Sequence, residues 1–380
     1  MRGAFEPESR KPETMTEAPT AKPWISAIEA YVPGRAKAAP GVSLVKLSSN
    51  ENPLGASPKA IEAMRAAVGK ANRYPDGSSH ELREAIAAQH GIEADRIVCG
   101  TGSDEILQCI ALAYAGPGDE VLYVRHGFMV YPIAAERAGA TPVAAPDTDY
   151  TADVDALLAA VTARTKIVYL ANPNNPTGTL IAQSEVERLH AGLPPHVLLV
   201  IDSAYAEYVE EPGYDDGTAL ARVHPNVVMA RTFSKIYGLA AERVGWAYGA
   251  PDVIDMVNRI RGPFNVTSAG QAGAVAALAD QAWVATCRAD NARNRAALVE
   301  AVEALGNKGL RAVPSAANFV LVTFPETGTH TAEAANTYLT ERGFLTRWLP
   351  NQGLGHALRI SIGTDEETQA VIAALRAFLG

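Results

Sequence analysis

A lysine past the middle of the chain has the setting of a reactive amine. Lys235 lies in the stretch Arg231-Thr-Phe-Ser-Lys-Ile-Tyr-Gly238, directly after an apolar run at 226–230 that predicts a buried strand. In such a hydroxyl- and glycine-rich turn, with the guanidinium of Arg243 close by in the chain, the ammonium form of a lysine is destabilised. The free amine can then form a Schiff base with an aldehyde. The alternative is a solvated surface lysine, the usual state of an isolated Ser-Lys pair.

Two more polar turns follow apolar runs upstream. One is the loop Asn172-Pro-Asn-Asn-Pro-Thr-Gly178, and the other contains Asp202 and Tyr205. Because the carboxyl ends of parallel strands meet at one edge of a sheet, we expect Asn175, Asp202 and Tyr205 to lie near Lys235. Asp202 ends a run that is apolar on both faces, so its carboxylate is expected to be buried and to need a partner. The alternative to a ligand is an ordinary structural partner, in a helix cap or a salt bridge.

A glycine-rich turn nearer the N-terminus has the features of an anion site. The segment Arg96-Ile-Val-Cys-Gly-Thr-Gly-Ser-Asp-Glu-Ile-Leu107 passes from a predicted strand through two glycines into a predicted helix. Glycine lets the backbone approach an anion, and the N–H groups at a helix start favour phosphate. The turn looks like half of a dinucleotide fingerprint, but it lacks the third glycine and the acidic residue after a second strand. It therefore predicts a monophosphate site at Gly102, Ser103 and Asp104, mainly through backbone amides.

Composition limits the classes of protein to consider. The chain has 380 residues, 48% hydrophobic and 20% charged, which is enough to bury one large core and a smaller one, so two lobes are expected. A formal net charge of -9 argues against a nucleic-acid or anionic-membrane surface, and no apolar run has membrane-spanning length. Cys99, Cys109 and Cys287 show neither paired nor metal-ligand spacing, which predicts a reducing, cytoplasmic compartment and no metal site.

The chain divides into four predicted parts. They are a disordered tail at 1–22, an N-terminal arm at 23–48, a large domain at 49–262 and a small domain at 263–380. The tail is rich in Pro, Glu, Thr and Lys and cannot bury enough apolar surface to offset the entropy of ordering. Capping signals predict helices after Ser57 and Thr364, the second with Glu367 as a capping box.

Taken in order, these motifs resemble the fold-type-I aminotransferases that use pyridoxal phosphate. The local sequence is most similar to the histidinol-phosphate aminotransferase family, and the match runs from about Trp24 to the C-terminus. The resemblance implies an α/β fold in which helices sandwich a mostly parallel seven-stranded sheet, with a smaller α+β C-terminal domain. It also implies a homodimer with shared active sites, because the arm of this family crosses to the partner subunit, although the plain expectation is an arm packed on its own domain.

The resemblance gives several residues a role around the cofactor ring. Lys235 would carry the cofactor and then move a proton to and from the substrate as general acid and base. Asp202 would face a protonated pyridine nitrogen, which keeps the ring an electron sink. Asn175 and Tyr205 would hydrogen-bond the 3'-oxygen. Phe128 would stack on the ring, and ordinary core packing is the alternative for it.

The cofactor phosphate would be held by the glycine turn and by residues of the central stretch. Thr232 and Ser234 offer hydroxyls, and the guanidinium of Arg243 offers a bidentate fork. A structural ion pair with Glu242 is the alternative for Arg243. The resemblance also implies that Tyr74, otherwise loop filler, donates its phenol to the phosphate across a dimer interface.

Two arginines and two N-terminal residues are candidates for substrate contact. Arg359 lies inside an apolar strand, so its charge needs an anionic partner, either in a buried salt bridge or on the substrate. The resemblance makes Arg359 the residue that grips the substrate carboxylate or phosphate, with Arg347 as a second arginine or a rim charge. Asn50 would lie beside the substrate, and Tyr31 would reach the substrate of the neighbouring subunit.

The implied substrate is histidinol phosphate in histidine biosynthesis, with glutamate and 2-oxoglutarate completing the cycle. An aromatic amino-acid aminotransferase is the alternative, because a flat apolar pocket near Phe128 and Trp348 would accept phenyl as well as imidazole. A phosphothreonine-type decarboxylase also resembles the family. A non-catalytic ligand-binding module has no need of an intact set of Lys, Asp, Tyr and Asn, and a nicotinamide dehydrogenase lacks its fingerprint.

Overall fold

The computed structural model describes residues 19–28 and 43–380. Most of the predicted tail and most of the predicted arm, including Tyr31, lie outside the described residues. Within the two described ranges, no helix is long and apolar enough to cross a membrane.

Helices occur along the whole described chain. In order they are α1 (Pro23–Ser26), α2 (Pro58–Val68), α3 (His80–His90), α4 (Ser103–Tyr114), α5 (Val130–Ala138), α6 (Val154–Ala159), α7 (Gln183–Gly192), α8 (Thr218–Val223), α9 (Pro251–Ile260), α10 (Ser268–Ala279), α11 (Gln281–Glu303), α12 (Ala332–Glu341) and α13 (Asp365–Leu379). Both predicted capping signals are present. The Ser57 side chain accepts a hydrogen bond from the Ala60 N–H at 3.1 Å, and Thr364 and Glu367 form a reciprocal capping box at the start of α13.

The strands form one large sheet, one smaller sheet and two short pairs. In order they are β1 (Val45–Lys46), β2 (Ile97–Gly100), β3 (Glu120–Val124), β4 (Thr141–Ala145), β5 (Asp147–Thr148), β6 (Thr151–Ala152), β7 (Thr165–Ala171), β8 (Leu198–Asp202), β9 (Val227–Thr232), β10 (Gly245–Gly249), β11 (Arg311–Ala312), β12 (Phe319–Thr323), β13 (Phe344–Leu345), β14 (Arg347–Leu349) and β15 (Leu354–Ser361). The large sheet has seven strands in the order β2-β10-β9-β8-β7-β3-β4. Its pairs are parallel from β9 to β4, and β10 is antiparallel to both neighbours. The predicted mostly parallel sheet is confirmed.

Hydrophobic clusters cover both faces of the large sheet. Leu199 and Ile201 of β8 belong to one cluster together with residues of α3. Leu198 and Val200 point the other way and pack with residues of α4. A strand covered on both faces carries a continuous apolar run, so β8 could be predicted from the sequence.

The small lobe is built on the antiparallel sheet β11-β12-β15-β14. Residues of β12 and β15 share a hydrophobic cluster with α11 and α13. Helix α10, in contrast, packs against α2 and α3, and its Ala274 and Leu278 belong to the core of the large lobe. The division at 262/263 stays a prediction, and we propose that the small lobe begins only after α10.

The segment around Asn50 connects the two lobes beside the large sheet. Strand β1 pairs in parallel with β13 of the small lobe, and the Leu47 carbonyl accepts a hydrogen bond from the Ser361 N–H at 2.9 Å. Asn50 then turns the chain with a left-handed φ of 56°, a conformation that asparagine tolerates better than most residues. Residues 47–50 are therefore placed between the lobes, next to the end of β9.

Candidate active site

The carboxyl ends of three neighbouring strands bring the predicted polar residues to one cavity. Strands β7, β8 and β9 are adjacent and parallel, so Asn175, Asp202 and Lys235 follow the same edge of the sheet. The cavity contains about 540 Å³ not filled by protein atoms, part of it open to solvent, and it is lined by every predicted cofactor residue except Gly102 and Tyr74. A space of this size suits a small ligand.

The amine of Lys235 faces this cavity from the turn after β9. Its Nζ donates a hydrogen bond to the Ser49 carbonyl at 3.4 Å and lies 5.7 Å from the centre of the Tyr205 ring. Burial lowers the pKa of Lys235 from 10.5 to about 8, and the positive charge of Arg359 acts in the same direction. The negative charge of Asp104 opposes the shift. The surroundings of the amine therefore destabilise its ammonium form, in the direction that the sequence predicted.

Asp202 ends β8 and is 4% exposed. Its Oδ2 accepts a hydrogen bond from the Tyr131 hydroxyl at 2.8 Å, while its buried Oδ1 has no hydrogen-bond partner in the described part of the chain. Burial raises the pKa of Asp202 from 3.8 to about 6, and the bond from Tyr131 acts against that shift. The Ala204 N–H also favours the charged form, without forming a hydrogen bond to Oδ1. A buried carboxylate oxygen with no partner is costly, so Oδ1 is suited to a donor that comes from a ligand.

A chain of hydrogen bonds joins Tyr205 to the small lobe. The Tyr205 hydroxyl accepts from Asn50 Nδ2 at 3.0 Å, and Asn50 Oδ1 accepts from the Ser361 hydroxyl at 2.9 Å. The Asn50 carbonyl in turn accepts from Asn318 Nδ2 at 2.9 Å. Burial raises the pKa of Tyr205 to about 12, so the phenol keeps its proton and can donate it to an acceptor in the cavity.

The start of α4 has the geometry expected of an anion cradle at Gly102, Ser103 and Asp104. Gly102 precedes the helix with a φ of 78°, and no side chain caps the first turn. Strand β10 passes so close that a Cβ on Gly245 would lie 2.2 Å from the Ser103 nitrogen. A Cβ on Gly102 would lie 2.6 Å from Nη2 of Arg243. Uncapped N–H groups, a helix start and a guanidinium thus surround one point, which is the setting that binds phosphate.

Residues of the central stretch complete the cradle. Nη1 of Arg243 donates to the Ser234 hydroxyl at 3.2 Å, and the Thr232 hydroxyl accepts from the Ser234 N–H at 3.1 Å. The acid nearest to the guanidinium is Asp104, with Nη2 and Oδ2 3.7 Å apart, and not Glu242. Because both side chains of this pair are partly exposed, the pair is weak and leaves Arg243 available to an anion.

A second cavity adjoins the first and carries the two predicted substrate arginines. Arg359 donates through Nη1 to Asn175 Oδ1 at 2.7 Å and through Nη2 to the Ser48 carbonyl at 2.6 Å. Arg347 lies directly opposite Arg359 on the neighbouring strand, and both line this cavity together with Asn50, Phe128 and Lys235. The two guanidinium groups therefore belong to one face of the small sheet, beside the reactive amine.

Phe128 borders both cavities and also packs against a hydrophobic cluster of the large lobe. Its ring meets Tyr131 edge to face, with centroids 5.8 Å apart and planes at 89°. Tyr131 was not singled out in the sequence. Neither were the carbonyls of Ser48 and Ser49, because backbone acceptors carry no sequence signal.

Several residues lie elsewhere. Tyr74 is 81% exposed, stacks on Phe264 with centroids 4.7 Å apart and lines neither of the two cavities described above. The expectation that Trp348 flanks the substrate pocket is wrong: Trp348 follows Arg347 on β14, points to the other side of the sheet and donates to the Gly355 carbonyl at 2.8 Å. His126 bonds the Asp147 carboxylate through Nδ1 at 2.7 Å, as a structural histidine does.

Fold and site together define a class. Two α/β lobes with a lysine, a buried acid and an uncapped helix start at the end of a mostly parallel seven-stranded sheet form the architecture of fold-type-I aminotransferases. Residues 42–375 match the family model described as aminotransferase class I and II. The chain belongs to this family, and the resemblance in the sequence is confirmed.

Relatives with known names cover nearly all of the chain. A histidinol-phosphate aminotransferase from Sphingopyxis alaskensis is 58% identical over 363 residues, 95% of this chain and 97% of the relative. One from Erythrobacter litoralis is 56% identical over 353 residues, 93% of this chain and 95% of the relative. Among solved structures, the histidinol-phosphate aminotransferase from Sinorhizobium meliloti in complex with pyridoxal-5'-phosphate is 30% identical with a TM-score of 0.86, covering 96% of this chain and 99% of that chain.

Proposed function

We propose that the chain transfers an amino group between histidinol phosphate and 2-oxoglutarate with pyridoxal phosphate as cofactor, a step of histidine biosynthesis. One observation carries the proposal. Lys235, Asp202 and the cradle at Ser103 all line one cavity, and Oδ1 of Asp202 has no hydrogen-bond partner among the described residues. The names of relatives that are 58% and 56% identical support the choice of substrate.

The residues of the cavity fit the parts of this cofactor one by one. Oδ1 of Asp202 is the acceptor for a protonated ring nitrogen. The amide of Asn175 and the hydroxyl of Tyr205 are the donors for the 3'-oxygen, since Asn175 Oδ1 is already bonded to Arg359. Phe128 offers a flat face to the ring.

The cradle takes the phosphate of the cofactor. Backbone amides of Gly102, Ser103 and Asp104 are expected to supply most donors, and the guanidinium of Arg243 adds a bidentate fork. The hydroxyls of Thr232 and Ser234 complete the set. These are the residues that the sequence predicts for the phosphate site, and their binding of phosphate remains a proposal.

Lys235 is the proton carrier of the proposed reaction. When bound, pyridoxal phosphate supplies an aldehyde for amines and a ring that takes up electrons. A pKa of about 8 leaves about a tenth of Lys235 neutral at pH 7, so the amine can take a proton and return it without a large change of free energy. The Ser49 carbonyl holds Nζ at the mouth shared by the two cavities.

Arg359 and Arg347 bind the anionic end of the substrate. They project from neighbouring strands into the cavity beside Lys235, so an anion bound there brings the rest of the substrate toward the amine. A phosphate ester presents three oxygens to two guanidinium groups, which suits their fork geometry. Asn50 closes the same cavity and is the proposed polar contact to the substrate body.

We further propose a homodimer with shared active sites in a reducing cytoplasm. The exposed stacked pair of Tyr74 and Phe264 is a surface that a second copy would cover, and Tyr74 would then donate its phenol to the phosphate of the partner. Tyr31 keeps its predicted role at the neighbouring substrate. The three cysteines are free and buried, which supports the compartment.

An aromatic amino-acid aminotransferase is the second candidate. The observation that favours it is the apolar part of the substrate cavity, formed by Phe128, Met129 and Leu349. A flat ring of either kind fits such a surface. The candidate is weaker than the first because the cavity carries two arginines, whereas an amino-acid carboxylate needs one bidentate partner.

The cofactor is tested by titrating purified protein with pyridoxal phosphate. We expect a yellow absorbance band for the wild-type chain that is lost in Lys235→Ala and retained in Lys59→Ala, because Lys59 is an exposed lysine paired with Asp280. A colourless wild-type protein that does not respond to added cofactor would overturn the proposal.

Steady-state kcat/KM for histidinol phosphate, phenylalanine and tyrosine then decides the substrate. A kcat/KM that is orders of magnitude higher for the aromatic amino acids would select the second candidate.

A further inference from the structure

Tyr131 contacts Asp202, the buried acid of the site. It lies in the first turn of α5, far from Asp202 in the sequence, and is 1% exposed. Its hydroxyl donates to Oδ2 of Asp202 at 2.8 Å. The phenol therefore occupies one of the two carboxylate oxygens and leaves Oδ1, the one with no partner in the described chain, for the cavity.

Aromatic contacts hold the Tyr131 ring in this position. It stacks on Tyr169 with centroids 4.7 Å apart and planes at 5°, and it meets Phe128 and Tyr123 edge to face. Burial raises the pKa of Tyr131 well above 10, and the charge of Asp202 acts in the same direction, so the hydroxyl stays protonated and remains a donor. The ring cannot move without disturbing the ring that borders both cavities.

The bond also opposes the desolvation of Asp202. Burial favours the neutral carboxyl, while a hydrogen bond donated to the carboxylate favours the charged form. A neutral Asp202 would carry a proton of its own, and a protonated ring nitrogen needs a carboxylate that only accepts. The contact with Tyr131 therefore acts on both properties that the acid needs, namely its orientation and its charge.

We propose that Tyr131 is a positioning residue of the active site, which turns Oδ1 of Asp202 toward the cofactor ring nitrogen and keeps this carboxylate ionised. The inference rests on the proposed use of pyridoxal phosphate. It goes beyond that proposal because it gives a function to a residue that lines neither of the two cavities.

Tyr169 provides a matched control in the same aromatic stack. It is also fully buried, but its hydroxyl donates to the Leu107 carbonyl at 2.6 Å and not to Asp202. Tyr131→Phe and Tyr169→Phe each remove one buried hydroxyl and keep the rings in place. A purely structural role of the Tyr131 hydroxyl predicts equal effects of the two substitutions.

The measurement is the dissociation constant of pyridoxal phosphate as a function of pH. A hydrogen bond to a charged group corresponds to a change in affinity of about 10- to 100-fold. We expect Tyr131→Phe to weaken binding by that factor and to move the acid limb of the affinity profile to higher pH, because Asp202 then takes up a proton more readily. Tyr169→Phe should keep the acid limb of the wild type.

A double-mutant cycle with Asp202→Asn isolates the contact. Because the amide has no charge to maintain, we expect Tyr131→Phe to change affinity far less in the Asp202→Asn protein than in the wild type. Equal effects in both backgrounds, an unmoved acid limb, or loss of folding in Tyr131→Phe alone would overturn the inference. A wild-type protein that does not bind pyridoxal phosphate would instead overturn the proposed function.

Discussion

Lys235 and Asp202 face one cavity, and burial favours the neutral form of each. The pKa of Lys235 is lowered to about 8 and the pKa of Asp202 is raised to about 6. Between these values the acid is ionised and the amine is mostly protonated, so the two charges attract each other across the cavity. Perturbed pairs of this kind concentrate where proton transfer takes place.

The stability of the cofactor-free protein should depend on pH through Asp202. Its folded-state pKa, about 6, exceeds the unfolded value of 3.8, so the folded protein binds the extra proton. The resulting stabilisation is fully present below the unfolded pKa and is lost as pH rises through the folded pKa. Relative to Asp202→Asn, we expect the wild type to lose roughly 1 to 1.5 kcal/mol of unfolding free energy between about pH 5 and about pH 8. Urea unfolding of both proteins measures this, and a difference that does not vary with pH would contradict it.

The helices and strands that position the site are not equally predictable from the sequence. Strands β8 and β9 are apolar runs followed by polar turns, a pattern that shows both the strand and the residue at its end. The contact of Tyr131 with Asp202 joins two elements whose adjacency is set by tertiary packing, so no local signal marks it. The same holds for Ser361, which meets Asn50 across 311 positions of sequence. The side of the sheet that Trp348 takes is fixed by the register of β14 with β15, which is also not a local property.

The close passage of β10 over the start of α4 can be tested by adding one methyl group. In Gly245→Ala the new Cβ meets backbone atoms at 2.2 and 2.4 Å, so the helix start must shift. We expect an affinity for pyridoxal phosphate at least about 10-fold lower and a loss of roughly 1 to 3 kcal/mol in unfolding free energy. Gly249→Ala, at the other end of β10, meets a Val228 methyl at 3.1 Å and should have a small effect. Equal cofactor affinities of the two variants would contradict this account of the cradle.

On the scale of the whole molecule, the site is assembled from two lobes that several polar contacts join. The hairpin β5–β6 reaches from the large lobe to the small one. Tyr150 at its tip bonds Nε2 of His356 through its hydroxyl at 2.8 Å. Asp149 accepts two hydrogen bonds from Arg311, at 2.8 and 2.5 Å. These contacts help to hold the strand of Arg359 over the cavity of the large lobe.

Tyr150→Phe should loosen the small lobe without touching the chemistry. One partly buried hydrogen bond corresponds to about 2- to 10-fold in an equilibrium between closed and open arrangements. We expect KM for histidinol phosphate to rise by a factor in this range while kcat changes little. Tyr338→Phe is the matched control, because this tyrosine packs on Arg342 and Phe378 within the small lobe. Kinetics of Tyr150→Phe that are indistinguishable from those of Tyr338→Phe would contradict a role for the hairpin.

The register that places Arg347 opposite Arg359 has a consequence for selectivity. Like charges on directly opposed strand positions repel each other, and a doubly charged ligand relieves that repulsion more fully than a singly charged one. A phosphate monoester loses its second charge below a pH of about 6. The ionisation of the ligand is thus part of its recognition. At acidic pH a phosphorylated substrate and a carboxylate would carry similar charges, and the difference between their affinities for the two arginines would become smaller.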